Sequence, residues 1–98
     1  MARSKTVVAG IAWFRSDQWQ LLRSLASDAD TLERTHAEWE SLAEKTIKDL
    51  AREDLLARKV DVDVNDLRVW CTTQRRPLDA AARAAYAAAR LREESENA

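Results

Sequence analysis

The sequence predicts a small α+β (or α/β) domain with the element order β-α-α-β-α-α. Two segments predict the strands: residues 7–14 form an uninterrupted apolar run, and apolar and acidic residues alternate over 59–64. Apolar residues recur at helical spacing in two stretches between these segments and two after them. We therefore expect a two-stranded sheet covered by four helices in a single domain, 1–98, with residues 1–5 and 93–98 frayed.

The first strand is the segment around which the rest of the chain is organised. Its eight residues are too few for a membrane helix, which needs about 20. Arg3 and Lys5 precede it, as they would in a secretory signal, but it ends at Phe14 and continues into Arg15, without small residues for cleavage. A buried strand is the better interpretation.

Both faces of this strand are apolar, so both need a covering layer. One face carries Val7, Ala9, Ile11 and Trp13, and the other carries Val8, Gly10, Ala12 and Phe14. Gly10 is the only glycine in the chain, and its lack of a side chain predicts a helix packed closely against the second face.

Capping residues predict where the four helices begin. The expected N-caps are Asp17, Thr35, Asp63 or Asn65, and Asp79. Thr35 with Glu38 forms a full capping box, whereas Asp17 with Gln20 is a variant of it. The third helix is expected to stop before Pro77, and the fourth to run to about residue 94.

The two strands are separated by a helical pair, which predicts a parallel crossover connection. A two-stranded sheet is marginal alone, and the first strand needs a neighbour on each edge. We therefore expect a homodimer in which the first strands pair, through Val7, Ala9, Ile11 and Trp13, in the strand order 2-1-1′-2′. The alternative is a helix that covers the free edge.

Composition argues against several classes of function. The net charge is −1, so no overall field attracts nucleic acid or an anionic membrane, and we expect no membrane association. The single cysteine, Cys71, excludes an internal disulfide and a multi-cysteine metal site, and a reducing cytoplasm suits it. With one glycine there is no glycine-rich loop to bind phosphates, so we expect no nucleotide cofactor.

Three features resemble catalytic or metal-binding sites, but each lacks residues that such a site requires. Asp61, Asp63 and Asn65 have the spacing of a calcium loop, but its required glycine and final glutamate are absent, so no metal is expected. His36 lacks an identifiable nucleophile, and we interpret it as a solvent-exposed helix residue. Cys71 is interpreted as a buried, unreactive thiol. The protein is therefore not expected to be an enzyme.

Two groups of side chains are candidates for recognition. The four tryptophans are interpreted as core anchors, and any exposed one would be a partner contact. Arginines seven residues apart share a helix face, which predicts an anion- or nucleic-acid-binding surface on the last two helices. Its members are Arg68, Arg75, Arg76, Arg83 and Arg90. An ordinary solvated face with local carboxylate partners is the alternative.

The strand ending at 11–15, the capping box before Trp39, the alternating 60–63 and Trp70-Cys71 resemble small uncharacterised bacterial proteins of this length. The resemblance implies a bacterial, cytoplasmic protein, and it carries no information about activity. We expect a non-enzymatic interaction module whose partner is a second copy or another protein. Nucleic-acid binding through the arginine face is the alternative.

Overall fold

A computed structural model describes residues 7–96, and in that range it has the predicted class and element order. Residues 1–5 and 97–98, expected to fray, lie outside the described residues, whereas 93–96 continue the last helix. The elements are β1 (Val7–Phe14), a 3₁₀ turn (Ser16–Gln18), α1 (Trp19–Leu25), a second 3₁₀ turn (Ala29–Thr31), α2 (His36–Arg52), β2 (Leu55–Val62), α3 (Val64–Thr73) and α4 (Ala80–Glu96).

The sheet is a parallel pair, as the crossover argument predicts. β1 and β2 are in register along their whole length, from Val7 opposite Leu55 to Phe14 opposite Val62. β2 begins four residues before the predicted start, and Val64 belongs to α3 and not to the strand. In the early part of β2, residues 55–58, apolar and polar residues do not alternate in the sequence. The extended conformation of this part follows from its pairing with β1 and not from its own residue pattern.

α4 covers the face of β1 that carries Gly10. A methyl group added at Gly10 would lie 3.2 Å from the carbonyl oxygen of Ala87 in α4. The predicted close approach of a helix at this glycine is therefore confirmed. On the same face, Phe14 and Val62 enter the main core with Tyr86 of α4.

α2 packs on the opposite face of the sheet. The rings of Trp13 on β1 and Trp39 on α2 are 4.9 Å apart, and Lys59 of β2 forms an ion pair with Glu44 of α2 at 3.2 Å. Each face of the sheet thus has a helix packed on it, as its two apolar faces predicted.

Three of the predicted helix caps are confirmed. The Thr35 hydroxyl accepts a hydrogen bond from the Glu38 amide and donates to its carboxylate. Asp63, and not Asn65, accepts from the first amides of α3, and Asp79 accepts from the Ala82 amide of α4. Each cap satisfies an amide that the helix itself leaves without a partner.

The predicted cap at Asp17 is wrong. Residues 16–18 form a 3₁₀ turn, and α1 begins after Gln18 without a side-chain cap. Gln18 is buried, and its Oε1 accepts a hydrogen bond from the Val64 amide at 2.9 Å. A contact with the start of α3, distant in sequence, therefore places this helix.

The core lies between the carboxyl half of the sheet and the helices α1, α3 and α4. No helix in residues 7–96 is long and apolar enough to cross a membrane. The buried cluster consists of Phe14, Trp19, Leu22, Val62, Val64, Leu67, Cys71, Leu78, Ala82 and Tyr86.

Candidate functional site

The outer edge of β1 is the first candidate surface. Among the described residues β1 has β2 as its one hydrogen-bonded neighbour strand, and no charged residue occurs in Val7–Phe14. Of the side chains predicted to form a dimer strand, Ala9, Ile11 and Trp13 are half-buried within the chain. The side chain of Val7 lies outside the described part of the structure.

α2 covers the sheet incompletely. The helix has 17 residues and a strongly amphipathic sequence, but none of its residues is buried. Leu42 in its apolar stripe is 52% exposed, while Trp39, Ile47 and Leu50 are half-buried. A helix that presents a partly exposed apolar stripe can bury more surface against another chain.

A second apolar area lies at the amino end of the sheet. Val8 and Leu56 are opposite each other in the register, and they are 44% and 57% exposed. They lie on the α4 side, where α4 reaches Gly10 through Leu91. The area therefore extends the exposed apolar surface along both strands.

His36 is half-buried, so its interpretation as a solvent-exposed residue is wrong. Its Nε2 lies 2.6 Å from the carbonyl oxygen of Phe14. Because a carbonyl oxygen only accepts, Nε2 is the protonated nitrogen. The imidazole packs beside Trp39 and Trp19, with ring centroids 5.2 and 6.0 Å away, so its contacts are structural.

The four tryptophans anchor the interior to different extents. Trp19 is fully buried, and the other three are half-buried. Trp13, Trp19 and Trp39 form one aromatic cluster with Phe14 at the carboxyl end of β1. Trp70 stands apart from this cluster and packs edge-on against Tyr86.

Of the residues that imitate a calcium loop, Asp63 caps α3, whereas Asp61 is an exposed residue of β2. Hydrogen bonds from the Asp66 and Asn65 amides hold the pKa of Asp63 below its usual value, with further contributions from Gln18 and Arg15. Arg15 pairs with the same carboxylate at 3.0 Å. Within residues 7–96, no three His, Cys, Asp or Glu side chains group closely enough to hold a metal ion.

The five arginines expected to share one face have different surroundings. Arg83 is buried, and its guanidinium donates two 2.9 Å hydrogen bonds to Asp28, so it does not belong to an exposed anion-binding surface. Arg90 pairs with Glu93, and Arg76 lies over the Trp70 ring at 5.7 Å. Arg68 and Arg75 are exposed.

Cys71 is buried, as predicted, and burial raises the pKa of its thiol. A raised pKa keeps the sulfur protonated, and the thiolate is the reactive form. The arrangement therefore gives Cys71 a packing role.

Three features of the structure have no counterpart in the local sequence patterns. These are the partial exposure of α2, the Asp28–Arg83 pair, and a groove between α3 and α4 lined in part by Val69, Trp70 and Tyr86. Each depends on residues that lie far apart in sequence or on how completely one element covers another.

No protein-family model, no curated protein and no solved structure matches this chain. The resemblance to small bacterial proteins therefore stays a prediction. Function has to be inferred from the surfaces of the molecule.

Proposed function

We propose that this protein is a non-enzymatic interaction module that pairs with a second copy of itself through β1. The observation that carries the proposal is that β1 has a neighbour strand on one edge alone within the described residues, and no charged residue along its length. An unpaired, uncharged strand edge is a template for another strand.

β2 is the less suitable edge. It carries Arg58, Lys59 and Asp61 among its eight residues. Charged side chains are a common means of preventing edge-to-edge pairing. Assembly through β1 gives the order β2-β1-β1′-β2′, which leaves the charged strands outside.

A two-fold axis fixes the direction of this pairing. An axis perpendicular to the sheet reverses the direction of the strand that it generates, so β1 and β1′ are antiparallel. The same axis keeps each face on its own side of the sheet. Ala9, Ile11 and Trp13 of both copies would then lie on the face that α2 covers.

The elongated shape of the chain favours assembly with a partner. The radius of gyration is 14.5 Å and the extents are 50 × 29 × 20 Å. A compact domain of this length has a radius of gyration of about 12.5 Å. An elongated chain with a half-exposed amphipathic helix has surface left to bury in an assembly.

Solution mass measured by light scattering tests the proposal. We expect twice the 11.1 kDa of one chain at micromolar concentration. Val8→Lys, an exposed change on β1, should weaken the dimer, whereas Leu56→Lys, its register partner on β2, should leave it intact. A monomer at high micromolar concentration would refute pairing through β1.

Nucleic-acid binding is the second candidate. Among the described residues, Arg68, Arg75 and Arg76 have no carboxylate within ion-pair distance. Phosphate contacts of this kind give affinity that falls as salt rises. Arg75→Ala with Arg76→Ala should lower retention on a nucleic-acid column, and unchanged retention would dismiss this candidate.

We also propose a cytoplasmic location. The one cysteine is a buried free thiol with no partner for a disulfide, which suits a reducing compartment. Fractionation of cells that produce the protein tests this, and recovery from an oxidising compartment would contradict it.

A further inference from the structure

The exposed flank of α3 forms one wall of a groove. Asp66, Val69, Trp70 and Thr73 follow the i, i+3, i+4, i+7 pattern, so they share one face of α3. Val69 is 59% exposed, more than any other large apolar side chain in the described residues. Val69 therefore presents an apolar side chain to solvent on a face whose two ends, Asp66 and Thr73, are polar.

α4 offers a matching face across a groove. Tyr86, Ala89, Arg90 and Glu93 have the same spacing, and they line the groove opposite the α3 residues. The groove has a volume of about 300 Å³. Two adjacent helix faces with a groove between them can receive the ridge of side chains of a third helix.

The floor of the groove is aromatic and firmly supported. The Trp70 ring meets the Tyr86 ring edge-on at 5.4 Å, and Tyr86 is 7% exposed. Burial raises the pKa of the Tyr86 phenol, which keeps it neutral. A rigid aromatic floor gives a partner side chain contact area at little cost in conformational entropy.

Charge differs between the two ends of the groove. The chain reverses direction between α3 and α4, so Asp66 and Glu93 lie towards one end, and the charges of both act on Tyr86. Arg90 there is already paired with Glu93 at 3.3 Å, which leaves a net negative end. Arg76 does not line the groove itself, but it follows the carboxyl end of α3, and its guanidinium lies 5.7 Å from the centroid of the Trp70 ring, which does.

The dimensions fit a short helix. Each wall spans seven residues, or about 10 Å at 1.5 Å per residue, which is two helical turns. The groove is open along its length, since Asp66, Val69 and Thr73 are all exposed. An enclosed small-molecule site would bury most of its ligand, whereas an open groove suits one face of a helix.

We propose that the α3–α4 groove binds an amphipathic helix of a partner protein. The helix places a large apolar side chain against Val69 and Trp70 and a basic side chain beside Asp66 and Glu93. An acidic side chain at its other end meets Arg76. The proposal is independent of strand pairing, because none of these residues belongs to β1.

A designed peptide tests the proposal directly. The probe is a helical peptide of about 14 residues with leucines at i, i+3, i+4 and i+7, lysines at one end and glutamates at the other. A peptide of the same composition with the leucine pattern scrambled is the control. Binding is followed by NMR on the labelled protein, with the Trp70 indole assigned through Trp70→Phe. We expect micromolar affinity for the first peptide alone, with shifts confined to α3 and α4.

Matched variants distinguish the groove from nonspecific apolar binding. Val69→Asp should weaken binding by about tenfold or more, as expected for a central contact. Leu56→Asp changes a leucine of nearly equal exposure on β2 and should leave binding unchanged. Glu93→Lys should weaken binding of the lysine-ended peptide. Equal affinity for both peptides, equal affinity of the Val69→Asp variant, or shifts centred on the sheet would overturn the proposal. Solution mass, measured separately, reports on the β1 dimer alone.

Discussion

The imidazole Nε2 of His36 lies 2.6 Å from the carbonyl oxygen of Phe14, so the first turn of α2 is tied to the last residue of β1. The same ring packs beside Trp19 and Trp39. One side chain thus links the helix on one face of the sheet to the aromatic cluster at its carboxyl end.

Replacement of His36 should destabilise the fold more than replacement of an exposed helix residue. His36→Ala removes the donor for the Phe14 carbonyl and opens space beside two tryptophans, so we expect a loss of about 1–2 kcal/mol in the free energy of unfolding. Urea denaturation followed by tryptophan fluorescence measures it. His36→Gln, which retains a donor, should recover part of the loss. An unchanged midpoint for His36→Ala would contradict this structural role.

Asp28 should contribute strongly to the stability of the fold, because its carboxylate neutralises the buried guanidinium of Arg83. Its side chain accepts two hydrogen bonds from Arg83, whose own side chain is 10% exposed. Asp28→Ala leaves that guanidinium buried without a partner, and we expect a loss of about 3 kcal/mol. Asp30→Ala, an exposed aspartate two residues later, is the matched control and should change stability little. Equal effects of the two changes would show that the ion pair contributes nothing.

The same pair predicts an acid dependence of stability. The hydrogen bond from Arg83 lowers the pKa of Asp28 below its ordinary 3.8, against partial burial, which acts in the opposite direction. A depressed folded-state pKa gives stability that is complete above the unfolded value and is lost as pH falls through the folded value. The gap in unfolding free energy between the wild type and Asp28→Asn should therefore be constant above about pH 5 and narrow below about pH 4. A difference in unfolding free energy that stays constant down to pH 2 would contradict the stabilisation of the Asp28 carboxylate by Arg83.

Gly10 should tolerate little enlargement. Its missing side chain faces the carbonyl oxygen of Ala87, a backbone atom that cannot rotate away. Gly10→Val should push α4 from the sheet and lower the unfolding free energy by about 1–3 kcal/mol. Ala9→Val enlarges the neighbouring residue on the opposite face, where α2 covers the sheet less completely, and should cost less. Thermal denaturation of both variants compares them, and equal losses would contradict the close approach of α4.

Local signals predicted most of the fold. The uncharged run 7–14 predicted β1, and three capping residues, Thr35, Asp63 and Asp79, predicted the starts of three helices. These signals act within about four residues along the chain, so they can be read without the fold. The prediction of a parallel pair followed from the long connection alone.

The predictions that were wrong concern contacts between distant residues. Asp17 does not cap α1, because Gln18 is fixed by Val64, which lies 46 residues later. Arg83 is not part of an exposed arginine face, because Asp28 binds it across 55 residues. No local pattern contains either partner, so the helix start and the burial of the arginine could not be inferred from spacing.

The sequence by itself determined which segments form β1 and the four helices, how three of those helices begin, and that both faces of the first strand need a covering layer. Tertiary structure decided where the candidate surfaces lie: the edge of β1 that has no neighbour strand among residues 7–96, the half-exposed stripe of α2, and the groove beside Val69. The physical reason is that secondary structure follows from residues a few positions apart. Exposure follows from how completely separate elements cover one another, and that depends on the packing of the whole chain.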